Sequence, residues 1–395
     1  MSLQLLENGG TVGAVNSMGA LLGEVRTWFS RYLFVMDEKD LDVIALWTVH
    51  TWLCEETYTS PRLLIDSPVP GSGKTTLLEH LAKLCKRPAQ MAAVSSPAML
   101  ARLTANEIRT LLIDEADRAL DPKKQGVGDL LAILNSGYKK GATRPVLVQS
   151  KNDWITEEMS TFSPVAIAGN TPLLPDDTRS RCIVVRLLPD VYEKVEPSDW
   201  EILDETSKEL AERIELVTNE VREQVKGCRP EVPRGCVNRL KERWYPLKRI
   251  AELANEHWSQ VVDELILADI ENEKDRAQNG DVQLSPNLQL AKDLYELYSP
   301  EFGFIQTTSL VAQLIRYNPD QWSSASYYGR DITMQRLGKM MSGAFGMRSL
   351  RNVDGVRGYH ANQLRDLWKQ LGVSPVEPPN PPTPNFPSPT ERDLF

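Results

Sequence analysis

The chain has 395 residues, 41% of them hydrophobic and 25% charged, which suits about two to three soluble domains with a sizeable core and excludes global disorder. No apolar run approaches the roughly 20 residues that a membrane helix needs, and the opening MSLQLLENGG lacks a basic stretch followed by an apolar core, so neither secretion nor membrane spanning is expected. The five cysteines (Cys54, Cys85, Cys182, Cys228, Cys236) have no paired short spacing, and four histidines are too few for a metal framework, which points to a reducing cytoplasm and no structural zinc.

The net charge of −9 argues against coating nucleic acid through bulk charge, yet it averages over opposed segments. Twelve acidic residues fall between Asp190 and Glu223 against four basic ones, whereas Gly303 to Leu371 carries nine basic residues against four acidic.

Taken in chain order, residues 1–60 form a helical N-terminal segment, because Leu22, Val25, Trp28 and Phe29, then Val43, Leu46, Trp47 and His50, recur at helical spacing. Residues 61–188 change pattern. Short apolar runs (Leu63–Ile65, Leu111–Ile113, Val165–Ile167, Ile183–Val185) alternate with helical stretches, the signature of buried parallel strands in an α/β core. A helical segment occupies 189–270, a polar linker 271–285, a small second domain 286–373 and a proline-rich tail 374–395 that is expected to be disordered.

The first strand runs into Ser67-Pro68-Val69-Pro70-Gly71-Ser72-Gly73-Lys74-Thr75-Thr76, followed by an amphipathic helix. Glycines let successive N–H groups curl toward phosphate oxygens at a helix N-terminus, so Pro70 to Thr76 read as a nucleotide cradle. Lys74 is placed to reach the β- and γ-phosphates and the Thr75 hydroxyl to ligate Mg²⁺. Pro68 stands where the usual pattern has its first glycine, at a position that shapes the entry to the loop. Leu111-Leu112-Ile113-Asp114-Glu115 is a buried strand ending in two carboxylates: Asp114 suits the Mg²⁺ shell, and Glu115 can polarise an attacking water. The alternative for Glu115 is a solvated surface acid in a charge cluster with Asp117 and Arg118. ATP and Mg²⁺ are therefore the expected cofactors. Asn170, ending the run Val165 to Asn170, is a candidate γ-phosphate sensor, although Gly-Asn-Thr-Pro is also a good turn. Arg179 and Arg181 lead into the next strand; an exposed Arg181 can neutralise charge at a nucleotide of a neighbouring subunit, or pair with an acid on its own.

These residues resemble the AAA+ ATPases. Pro70 to Thr75 looks like their Walker A loop, Leu111 to Glu115 like Walker B, Asn170 like the first sensor, and Ser180-Arg181-Cys182 is similar to the arginine-finger motif of clamp-loader subunits. A closer resemblance, from about Asp42 to Leu371, is to a family of actinobacterial, plasmid and phage ATPases often fused to primase-polymerase domains. It is carried by Ala45-Leu46-Trp47, Ser60-Pro61-Arg62-Leu63, Leu134 to Tyr138, Arg239 through Trp244 to Leu247, Trp258 and Gly358-Tyr359. It implies a homo-oligomeric ATPase, a ring or spiral with a hexamer as one arrangement, acting on DNA during replication in a bacterial host cytoplasm. It also makes Arg239 the candidate second sensor on a helical lid over the nucleotide, with solvated lid residues as the alternative for Arg239 and Arg243.

Pro145 to Ile155 reads as a β-hairpin, and in several AAA+ helicases a hairpin here lines the central pore. Lys151 near its tip, with Lys139, Lys140 and Arg144 upstream, is then placed to meet DNA phosphates; a plain surface hairpin is the alternative. The second domain is similar to a winged helix, Met334 to Met340 serving as the second helix of a helix-turn-helix, with Arg336, Lys339 and Arg357 as DNA-facing charge; such modules also bind proteins. Asp393-Leu394-Phe395 at the end of the tail resembles the peptide by which bacterial replication proteins dock on the sliding clamp, although Glu391 replaces its usual glutamine. The expected activity is a replicative helicase motor; the rivals are an ATP-dependent loader of a replication protein and a DNA-binding regulator that uses ATP for assembly.

Overall fold

A computed structural model describes residues 9–92, 96–150, 153–278, 286–297, 303–326, 329–360, 363–365 and 368. The chain divides into two compact units, Met1–Lys274 and Asp275–Phe395.

The first unit opens with helices α1 (Gly9–Tyr32) and α2 (Lys39–Leu53), and then alternates strands with helices: β1 (Arg62–Ser67), α3 (Lys74–Leu84), β2 (Pro88–Met91), α4 (Pro97–Ala105), β3 (Thr110–Ile113), α5 (Ala116–Ala119) and α6 (Val127–Ser136). A hairpin of β4 (Thr143–Ser150) and β5 (Asp153–Ser160) follows, then β6 (Val165–Asn170), α7 (Asp176–Arg179) and β7 (Cys182–Arg186). Three helices complete the unit, α8 (Trp200–Gly227), α9 (Asn238–Ala254) and α10 (Glu256–Gln278). Helix α10 carries on through 271–278, so the polar segment expected to be a linker from Glu271 begins as helix.

Strands β2-β3-β6-β1-β7, in that order, form one parallel five-stranded sheet. Successive side chains of a strand face opposite sides, so each apolar run serves two cores. Leu63 and Ile65 face α1, α2, α3 and the helices after β7, while Leu64 faces α4 and α6. The result is an α/β fold with helices on both faces of the sheet. Arg62, fully buried at the start of β1, donates to the carbonyls of Leu134 and Ser163 and so ties the end of α6 to the lead-in of β6. Trp244 and Trp258 are core residues of the outer helical layer. All five cysteines are free thiols.

On the same side of the sheet, His80 of α3 is enclosed by Trp28, Tyr32 and Trp200. Its Nδ1 accepts from Trp28 Nε1 at 3.0 Å, which places the ring proton on Nε2, where it is donated to Ser198 Oγ at 2.8 Å.

In the second unit α11 (Pro286–Glu296) is followed by β8 (Phe304–Gln306), α12 (Thr307–Tyr317), α13 (Pro319–Trp322), α14 (Met334–Phe345), β9 (Leu350–Arg351) and β10 (Arg357–His360). The strands make a small antiparallel sheet in the order β8-β10-β9. The expected closing hairpin turns at Gly355, whose φ of +77° suits glycine, but β8 was not legible in the sequence. Gly358 lets β8 approach: a Cβ there would stand 2.2 Å from the Ile305 carbonyl oxygen. The buried carboxylate of Asp293 orients this unit's core, accepting from Trp322 Nε1 at 2.6 Å, Gln289 Nε2 at 2.7 Å and Asn318 Nδ2 at 3.0 Å. Among the described residues, no helix is long and apolar enough to cross a membrane.

Candidate active site

The carboxyl ends of β1, β3 and β6 converge because the sheet is parallel, and each delivers one part of the site. After β1, residues 68–73 turn back over the N-terminus of α3, with φ of +73° at Gly71 and +83° at Gly73. Side chains at those two positions would be strained, so the glycines are what the curl requires. Lys74 Nζ folds across the loop to Val69 O at 3.2 Å and Ser72 Oγ at 2.9 Å. Partial burial pushes its ammonium below the usual lysine range, and the nearby Asp114, Asp117 and Asp66 carboxylates oppose that shift.

Thr75 Oγ1, in the first turn of α3, donates to Asp114 Oδ2 at the end of β3, 3.1 Å away. Thirty-nine residues apart in sequence, they stand side by side. Glu115 lies in the left-handed region, with φ of +49°, and its exposed carboxylate pairs with Arg118 at 3.3 Å. Strain of this kind in a non-glycine residue persists where surroundings over-determine it, and here the Glu115 N–H is held by Asp114 Oδ1 at 2.8 Å.

Asn170 ends β6 in register with Ser67, between the strand that carries the loop and the strand that carries Asp114. Its backbone N–H donates to Asp117 Oδ1 at 3.1 Å, while Thr171 N–H donates to Asp66 Oδ1 at 3.1 Å. In the sequence Asp117 stands only as part of a charge cluster. Its placement shows a second role, holding the strand end that presents Asn170. Gly169 makes room for it: a Cβ there would meet Asp117 N and Oδ1 at 3.0 Å. Beside Gly71, Ser72, Gly73 and Thr76 opens a cleft of about 410 Å³, walled by Tyr32, Leu33 and Phe34 from the end of α1 and by Leu188 and Val195 beyond β7. None of those five wall residues belongs to a motif, so spacing alone could not find them.

Arg181 and Arg239 lie elsewhere. The Arg181 carbonyl accepts from Arg62 N–H at 3.0 Å and Tyr138 O accepts from Ser60 N–H at 2.8 Å, which places both at the amino ends of the strands. Tyr138 is ringed by cations, with Arg181 Cζ at 5.0 Å, Arg239 Cζ at 5.1 Å and Lys139 Nζ at 5.2 Å from its ring centre. Arg239 also donates to the Tyr138 hydroxyl and to Glu242 Oε2. The six residues of β1 put roughly 17 Å or more between this cluster and Lys74. Two sequence expectations are corrected here. Arg239 does not reach the glycine loop of its own chain, because α9 begins at the far end of the sheet. Arg181 is not freely exposed: its side chain is 11% accessible and donates to the Asp177 carbonyl, with the Asp177 carboxylate 3.8 Å away. Arg179, two residues earlier, has its Nε buried with no hydrogen-bond partner among the described residues. Arg243 is buried, ion-paired to Asp269 at 2.7 Å and Glu273 at 2.6 Å, rather than solvated.

The hairpin expected around Pro145 to Ile155 is present, β4 and β5 pairing from Thr143↔Ser160 to Ser150↔Asp153. Lys151 at its turn lies outside the described residues, as do Asp393, Leu394 and Phe395 of the tail. Lys139 and Lys140 do not form an unpaired funnel with it. Lys139 is neutralised by Glu242 at 2.6 Å, and Lys140 donates to the Glu55 carbonyl. Arg144 faces Asp129 at 3.5 Å. In the second unit Lys339 on α14 and Arg357 on β10 are exposed, and Arg336 is half-buried.

A family model described as "Protein of unknown function (DUF3631)" matches residues 188–371. No curated protein matches the chain. Among solved structures, it is similar to a full-length MCM homolog from Methanopyrus kandleri, at TM-score 0.39 and 14% identity over 64% of this chain and 60% of that one. It thus spans about three fifths of that protein's length. The apo structure of the NrS-1 C terminal region (305-718) is similar at TM-score 0.40 and 12% identity, over 87% of this chain and 75% of that one. These are distant likenesses.

Proposed function

We propose that the chain is an ATP hydrolase of AAA+ type that acts on DNA as an oligomer, most simply as a helicase motor. The observation that carries this reading is the contact between Thr75 Oγ1 and Asp114 Oδ2 at 3.1 Å beside Lys74, which makes a phosphate loop and an acidic strand end into one site. A hydroxyl and a carboxylate oxygen are the hard donors that a phosphate-bound Mg²⁺ takes. Thr75 and Asp114 would hold that ion, which when bound would supply neutralisation of phosphate charge. Lys74 would exchange Val69 O and Ser72 Oγ for phosphate oxygens, Glu115 would polarise the attacking water, and Asn170 would orient it. The cleft bounded by Tyr32, Phe34 and Leu188 takes the base and ribose.

The cations around Tyr138 support oligomeric action. They stand too far from their own loop to serve it, so Arg239 and Arg181 would serve a nucleotide held by a neighbouring chain. The second unit, with α12 and α14 before the β9–β10 hairpin, reads as a winged helix, whose exposed Lys339 and Arg357 suit DNA phosphates.

The decisive measurement is strand separation on a forked DNA with ATP, alongside phosphate release. ATP-dependent unwinding that is lost in Lys74→Ala is the expected result. Turnover without unwinding would replace the motor with a loader, and DNA binding without turnover would leave a regulator.

A further inference from the structure

At the amino end of the sheet, a cleft of about 450 Å³ opens between the lead-in to β1 and the first turns of α9. Tyr58, Arg229, Lys241, Glu242, Tyr245 and Arg249 are among its lining residues. Its charge is unusual. Arg249 is only 6% exposed, yet among the described residues its one hydrogen bond is to the carbonyl of Val225 in the last turn of α8, and its Nε is buried without any partner there. Arg229 donates only to the carbonyls of Lys226 at 2.7 Å and Cys228 at 2.8 Å. Lys241 rests over the Tyr245 ring, 4.9 Å from its centre. Among the described residues, none of these three cations has a carboxylate partner.

The acid that lines the cleft does not answer them. Both carboxylate oxygens of Glu242 are taken up by Lys139, Tyr138 and Arg239 on the other side. Burying an uncompensated guanidinium is costly, and the α8 carbonyl end offsets only part of that cost. Burial and then the neighbouring Arg229 depress the Arg249 pKa; Glu56 opposes them only through longer-range charge and is itself paired with Arg222 at 3.3 Å. Helix α9 adds to the imbalance, because its first turn holds no acidic residue and no side chain caps it.

We propose that this cleft is a second anion site, binding the phosphate groups of a nucleotide-sized ligand. Arg249 at the base, with Arg229 and Lys241 at the rim, provides a three-cation clamp of the kind phosphates select. Its volume falls in the usual range for small-molecule sites. Tyr58, which is 64% exposed, and Tyr245 offer rings to a planar base. The site is independent of the phosphate loop, which lies at the opposite end of β1, so the proposal stands or falls apart from the function above.

The test uses the full chain carrying Lys74→Ala, so that the loop no longer contributes, with inorganic pyrophosphate and ADP as probes followed by thermal melting and calorimetry. A saturable rise in Tm with both probes is expected, with affinity falling at least tenfold when Arg229→Ala and Lys241→Ala are added. These rim changes sit near the surface and spare the fold, whereas Arg249→Gln also tests the buried member. ADP binding more tightly than pyrophosphate would add the tyrosines to the site, and equal affinities would leave a phosphate-only clamp. Absence of a saturable response in the Lys74→Ala protein, or one unchanged by the rim substitutions, overturns the proposal.

Discussion

Lys74→Ala is expected to abolish nucleotide binding at the glycine loop, and Glu115→Gln to keep that binding while slowing turnover about a hundredfold or more, the usual contribution of a positioned general base. The difference follows from geometry. Lys74 crosses the loop that, on the proposed reading, cradles phosphates, so its loss removes a ground-state contact. Glu115 stands outside the loop at the end of β3, and its isosteric amide retains shape while losing the ability to take a proton. The Arg118 partner at 3.3 Å is exposed and contributes little to holding the carboxylate, so it does not prevent Glu115 from turning to a water. Titration with a fluorescent ATP analogue and a phosphate-release assay separate the two effects. Parent-rate hydrolysis by Glu115→Gln would move the base assignment elsewhere, with Asp117 the next carboxylate to examine.

The second large effect is expected from Arg239→Ala and Arg181→Ala, which should leave nucleotide affinity of the isolated chain nearly unchanged and reduce turnover of the assembly on the order of a thousandfold. Arg239 is the more available of the two, at 43% side-chain exposure. Arg181 must first leave Asp177. Mixing Arg239→Ala chains with Lys74→Ala chains should restore part of the activity, because some contacts then join an intact loop to an intact arginine. Mixed assemblies, verified as mixed, that stay inactive would return both arginines to a structural role around Tyr138.

Four of the five strands in the main sheet were legible as apolar runs because burial on both faces leaves no polar alternation. Strand β2 was not: Pro88–Met91 lies half-exposed at the sheet edge, and its Pro-Ala-Gln-Met carries no such run. Thr75 and Asp114 could be brought together from sequence because loop, helix and strand each have local signatures. The position of Arg239 could not be, since it depends on where α9 begins relative to the sheet, a tertiary relation with no periodicity. The cleft around Arg249 was invisible for a related reason: its cations come from residues 229 to 249, but its other wall is the stretch before β1. The lysines before the hairpin misled because sequence shows charge and hides the partner; Glu242 lies 103 positions beyond Lys139.

The histidine inside the aromatic enclosure on α3 gives the helix that follows the glycine loop an acid limit of its own. With Nδ1 occupied by Trp28 and the surroundings dry, burial lowers the His80 pKa from 6.5 to about 4. His50, buried against Ser60 and near Arg249, is lowered to about 3, burial being the larger cause. Both rings stay neutral in the fold while the unfolded chain takes up protons below about pH 6.5. Their stabilisation is therefore complete above that pH and drains away as acidity increases toward the folded values, at up to about 1.4 kcal/mol per pH unit for each group. Half-buried Asp40, raised to about 6 chiefly by burial, acts in the opposite sense and offsets part of one histidine. Falling activity in mild acid would then record the loosening of a helix whose first residue is Lys74, and a histidine in the acid limb need not be a proton carrier.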